Sequence, residues 1–296
     1  MKNKLIWLMF GIFILVMFMP LSFTSAAPQG KVVYVTNSPN FYVTGLDWFT
    51  ARGYVSNSIK TVFTDSLIVK NIDGSFSPGL AKSWEVSNGG KTWKFTLVKN
   101  AKFHDGTPVT AEDVKYSFER FTKPELKYVF GKAWAAILKD IVVEDDHHLT
   151  VNFNDIYPDF LDRNGEYLGI APKKYVEKVG DKGFADKPIS CGPFKLVKFD
   201  YDVSFEATAV ADHYRKPPNI KDLTMMFVSE NQTRMAMLKT GEADIIYLHG
   251  SQLPEAQQDP NIRISRSNYC NLEAFGFFDF MNGTKGPWQD ARVRQL

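Results

Sequence analysis

The sequence has 296 residues, 44% of them hydrophobic, with 35 Lys and Arg against 33 Asp and Glu. Lys2 and Lys4 are the charges of residues 1–26, so the rest of the chain balances at 33 against 33. That neutrality argues against a nucleic-acid binder, which needs a basic surplus to neutralise phosphate. The length suggests up to two domains with a substantial core.

The chain begins with Lys2 and Lys4, then an uncharged apolar run from Leu5 to Met19, Pro20, and the small-residue stretch Thr24 to Ala27. This is the three-part pattern of a secretory signal peptide, with cleavage expected after Ala26. A membrane anchor is the alternative, but the run falls short of the roughly 20 residues that span a bilayer. No Cys stands near the site, so no lipid anchor is expected. The predicted location is the periplasm, an oxidising compartment where Cys191 and Cys270 can pair if their Cα atoms come within bridging distance.

Lys31 to Thr36 is a β-branched and aromatic run that predicts a buried strand, ended by the turn signal Asn37-Ser38-Pro39-Asn40. Ser58 to Val69 predicts a helix leading into a strand, and residues 71–74 a turn. Trp84 and Val86 alternate with polar residues, Asn88-Gly89-Gly90 predicts a hairpin, and Trp93, Phe95 and Leu97 present one buried face. Thr110 with Asp113 three residues later forms a capping box, and Val114, Phe118 and Phe121 recur at helical spacing. Ile141–Val143 and Leu149, Val151, Phe153 flank a turn at 145–148.

Beyond this the pattern alternates helix and strand, as in an α/β lobe. Residues 172–179 read as helix, and 194–199 and 203–207 as strands. Ser229 is expected to cap a helix reaching Lys239, with Met235 and Leu238 inward and Gly241 at the stop. Residues 244–247 and the apolar run 272–280 read as strands.

Few residues offer chemistry. His104-Asp105 can be an acid/base pair, or a polar turn before a capped helix. His147-His148 beside Asp145 and Asp146 can bind metal, or form a solvated hairpin tip. Cys191 can be a nucleophile, but no paired His is evident, and two isolated Cys make no zinc site. No phosphate-cradling loop, HExxH or GxSxG occurs. Neither an enzyme, a cofactor nor a metal is expected.

Leu80-Ala81-Lys82-Ser83-Trp84-Glu85-Val86-Ser87, followed by Lys91-Thr92-Trp93-Lys94-Phe95, resembles a motif of the family-five extracellular solute-binding proteins. These are the peptide- and nickel-type receptors of ABC importers. The resemblance continues through Lys102 to Val114, Ser117-Phe118-Glu119-Arg120, Pro188 to Leu196, Gly241-Glu242-Ala243-Asp244-Ile245, and Asp290 to Gln295. One departure is Ser190-Cys191, where the family has Gly-Thr.

The resemblance implies a type II periplasmic-binding-protein-like α/β fold of the three-domain, peptide-receptor subclass, truncated in its third domain. After a signal peptide at 1–26, one discontinuous α/β lobe is expected at 27–65 and 168–268. An α+β domain is inserted at 66–167, and residues 269–296 begin the third domain. The implied function is capture of a peptide or similar polar solute, with delivery to the permease subunits of an ABC importer by closure of two lobes. The receptor is expected to act as a monomer, without nucleic acid, and to meet the membrane through the permease. A nickel-chelate or oligosaccharide receptor is the alternative within the class. A secreted hydrolase using His104 or Cys191, or a non-functional truncated product, stands outside it. Ligands of open α/β lobes sit beyond strand C-termini, so Asn37, Ser38, Tyr42 and Trp48 after the first strand are the expected ligand contacts, with Tyr167 before the 170–172 segment.

Overall fold

A computed structural model describes residues 27–37, 46–49, 54–71, 73–126 and 131–265. In chain order the elements are β1 (Lys31–Thr36), α1 (Tyr54–Phe63), β2 (Ile68–Lys70), β3 (Phe76–Pro78), β4 (Ala81–Ser87), β5 (Thr92–Leu97) and α2 (Ala111–Phe121). There follow α3 (Gly131–Ile137), β6 (Leu138–Asp145), β7 (His148–Phe153), α4 (Phe160–Tyr167), α5 (Lys173–Asp186), β8 (Phe194–Asp200) and β9 (Ser204–Ala209). The described part ends with β10 (Asp222–Phe227), α6 (Asn231–Thr240), β11 (Ile245–Ile246) and α7 (Leu253–Gln258).

The strands segregate by sequence. A five-stranded sheet has the order β11-β1-β10-β9-β8, with β1 parallel to β10 and β11 and the other pairs antiparallel. Every strand of the β2–β3 ribbon and of the four-stranded sheet β4-β5-β7-β6 lies between residues 68 and 153.

The four-stranded sheet follows the period-2 pattern at its centre. Trp93 pairs with Val151 and Phe95 with Leu149, all buried, which aligns the apolar faces of β5 and β7. Phe160 of α4 packs on Trp93 and Phe153, each at a ring distance of 4.9 Å. The β4–β5 turn places Asn88, Gly89 and Gly90 at φ 51°, 64° and 95°, the left-handed region that Gly and Asn tolerate best. β4 is the edge strand, so its alternation weakens: Val86 is exposed and Trp84 half-buried.

The capping box forms. The Thr110 amide and hydroxyl both donate to Asp113 Oδ2, at 2.9 and 2.7 Å. Three boundaries differ from the sequence reading. α1 starts at Tyr54, ahead of Ser58, and ends at Phe63, with the expected strand following as β2. α5 runs on past Val179 to Asp186, through a break where Gly180 sits at φ 72°. α6 is capped by Glu230 instead of Ser229, whose carbonyl accepts from Arg234 Nη1 at 2.9 Å and stays outside the helix.

Candidate ligand-binding edge

The strand ends of the five-stranded sheet define the candidate site. β1, β10 and β11 are parallel, so Thr36–Asn37, Val228–Ser229 and Tyr247 come together at one edge. The Val228 amide donates to Thr36 O, and the Tyr247 amide to Val35 O, each at 2.8 Å. Asp244 sets the register of β11. Its carboxylate accepts from the Val33 amide at 2.7 Å, and its own amide donates to Val33 O at 2.9 Å.

Arg234 of α6, fully buried, braces this edge from beneath. Its Nε donates to Tyr247 O at 3.1 Å, its Nη1 to Val228 O at 2.6 Å and its Nη2 to Asn231 Oδ1 at 2.5 Å. One guanidinium thus ties the ends of β10 and β11 to the first turn of α6. Gln252 Nε2 adds a bond to Asn231 O at 2.7 Å.

The expected contact residues divide. Asn37 lies at this edge, half-buried, at the end of β1. Ser38 and Tyr42 fall outside the described residues, as does the side chain of Tyr167, whose backbone ends α4. Trp48 is placed in the core. It is 4% exposed, its Nε1 donates to Gly169 O at 3.4 Å, and its ring meets Phe184 edge-on at 5.0 Å.

The residues weighed for catalysis hold the chain together. As the Nε2–H tautomer, His104 donates to Gly192 O at 3.1 Å, while its Nδ1 accepts from the Ser190 amide at 3.3 Å. Burial pushes the imidazole down to about 4, with the Gly192 bond opposing. Both ring nitrogens are occupied, leaving none to take a substrate proton. Burial likewise raises the Cys191 thiol, with the Asp65 charge adding to it, so it is held as a thiol and not as a nucleophilic thiolate. Cys270 lies outside the described residues. His148 Nδ1 bonds to Asp145 at 2.8 Å on an exposed hairpin, and no group of three metal-ligating side chains occurs among the described residues.

Two buried ionic ties escaped sequence reasoning. Asp65, 3% exposed, receives His213 Nε2 at 2.9 Å and Arg215 Nη2 at 2.5 Å. Burial alone would raise its carboxyl, but His213 and Arg215 outweigh burial and hold it below the ordinary range. Arg120, fully buried between Phe49 and Phe184, meets Asp47 at 2.5 Å and Asp181 at 3.0 Å. The motif Ser117-Phe118-Glu119-Arg120 marked Arg120, but its partners lie 73 and 61 residues away with no local signal.

The model of the bacterial extracellular solute-binding proteins, family 5 Middle, matches residues 75–295. The chain belongs to this family. Heme-binding protein A of Haemophilus influenzae is 26% identical over 260 residues, 80% of this chain and 47% of that protein. The Probable D,D-dipeptide-binding periplasmic protein DdpA of Escherichia coli K12 is 32% identical over 225 residues, 73% of this chain and 42% of that protein. The periplasmic binding protein AgaA of A. tumefaciens R10, solved with agropinic acid, superposes with a TM-score of 0.72 at 29% identity, over 78% of this chain and 46% of that one. The family-5 chain thus has the type II periplasmic-binding-protein fold and spans less than half the length of these relatives. Among its described residues no helix is long and apolar enough to cross a membrane.

Proposed function

We propose that this family-5 chain is the solute-capturing receptor of an ABC importer, working in the periplasm and passing a peptide or similar polar solute to the permease subunits by lobe closure. The observation that carries the reading is the family match over residues 75–295. The solute sits at the C-terminal edge of β11, β1 and β10, where Asn37, Ser38 and Tyr42 follow β1 in the sequence, with Tyr167 as a further proposed contact. The braced strand ends supply a rigid floor, so little ordering entropy is lost there on binding. Residues 27–65 and 168–268 form one lobe, and 66–167 the insert. The segregation of the five-stranded sheet from the β2–β3 ribbon and the four-stranded sheet supports that division.

Thermal unfolding of the protein made from the full reading frame tests the proposal. A peptide pool should raise the midpoint by several degrees, since ligand at a hundred times its Kd adds about 2.7 kcal/mol. Nickel–histidine, oligosaccharides and heme serve as the competing ligands. Stabilisation by none of the four would contradict a receptor. So would peptide hydrolysis that disappears in His104→Ala.

A further inference from the structure

The β8–β9 turn reaches the same edge as the proposed ligand. β9 runs antiparallel to β10, with Met226 opposite Ser204, and the Phe227 amide donates to Val203 O at 3.0 Å. Residues 201–203 therefore stand in line with Val228 and Thr36–Asn37, past the ends of the parallel strands. The turn is closed and preformed: the Val203 amide donates to Asp200 O at 3.0 Å, and Asp202 takes a left-handed φ of 54°.

The turn is also apolar where water should favour polar side chains. Of the seven large hydrophobic residues exposed among the described residues, Val197, Tyr201 and Val203 lie on this one hairpin, so the exposure is clustered. Tyr201 is 54% and Val203 57% exposed, and Phe199 meets the Tyr201 ring edge-on at 6.5 Å.

We infer that Tyr201 and Val203 form an apolar subsite for the fourth residue of an extended peptide, a reading that rests on the receptor function proposed above. The spacing supports it. Two strand separations, from β1 across β10 to β9, are about 10 Å, and an extended peptide advances roughly 3.4 Å per residue. Three such steps cover that span, so a ligand whose first residue is held at Asn37 brings its fourth side chain to the turn. A dipeptide stops short. The class of ligand is therefore an oligopeptide of four or more residues with an apolar fourth side chain.

Calorimetric titration of the full gene product with Ala-Ala, Ala-Ala-Ala-Ala and Ala-Ala-Ala-Phe tests this. The wild-type protein should prefer Ala-Ala-Ala-Phe. In the Tyr201→Ala, Val203→Ala double variant that peptide should weaken about tenfold, the value of part-burying such side chains, while Ala-Ala is unchanged. Tyr201→Phe should retain the preference. Because both residues are exposed, the variants should melt as the wild type does. Unchanged Ala-Ala-Ala-Phe affinity in the double variant overturns the subsite and leaves the receptor standing; if transport then falls, the turn meets the permease instead. Equal weakening of all three peptides also overturns it. Failure of the wild type to bind any of the three removes the peptide reading and the subsite with it.

Discussion

His104 shows how a residue that looks catalytic can be a strut. Its neutral ring satisfies an acceptor at Gly192 and a donor at Ser190, and protonation would set Nδ1–H against the Ser190 N–H. The folded imidazole titrates near 4 against an ordinary 6.5. The unfolded chain therefore binds the extra proton first, and stability falls as pH drops from 6.5 towards 4. The loss should approach about 3 kcal/mol, and His104→Gln should flatten that part of a denaturant-midpoint profile. Asp65 acts lower on the scale. Its folded carboxyl is held below 3.8, so its contribution is present above that value and is lost as pH falls through the lower folded value. Asp65→Asn should remove this acid limb while leaving the His104 limb intact. At Arg120, removing one partner of a buried pair strands the other. Arg120→Ala should destabilise by about 3–5 kcal/mol in urea unfolding.

Between elements, the motif residues act as ties. Asp113 Oδ2 closes the cap of α2, while its Oδ1 accepts from the Lys173 amide at 2.9 Å, joining the start of α2 to the start of α5. Ser117 Oγ accepts from the Ala171 amide at 2.9 Å in the same joint. Asp113→Ala should therefore cost more than Thr110→Ala, which forfeits a cap alone, about 1 kcal/mol. At Gly192, an added Cβ would lie 2.5 Å from Phe63 O, a backbone atom that cannot yield, where the Gly192 amide donates to the same oxygen. Gly192→Ala should cost about 3 kcal/mol by overpacking, read from the unfolding midpoint. The cap at Thr110 and the alternation of β5 and β7 were legible because both depend on neighbours within a few residues. The bracing of the strand ends by Arg234 was not, since its bonds to Val228 and Tyr247 exist only once β10 and β11 are side by side. The same limit explains Trp48: an aromatic after a strand reads as a ligand contact, while the packing of Phe63 and Phe184 around it needs the folded chain.

At the scale of the whole molecule, the order of motifs along the chain marks the family, and three of the motif residues, His104, Asp113 and Ser117, bond to residues 171–192 far along the chain. The ligand itself was less legible. In the proposed receptor the ligand contacts follow β1, and this chain spans under half the length of the relatives it matches. As a receptor, the protein should capture a polar solute and leave it unchanged. Native mass spectrometry of the full gene product, purified from the compartment where it accumulates, should then show an adduct of peptide mass that dissociates intact on denaturation. A protein that carries no adduct and takes up none from a peptide mixture would contradict that role, as would release of cleaved fragments.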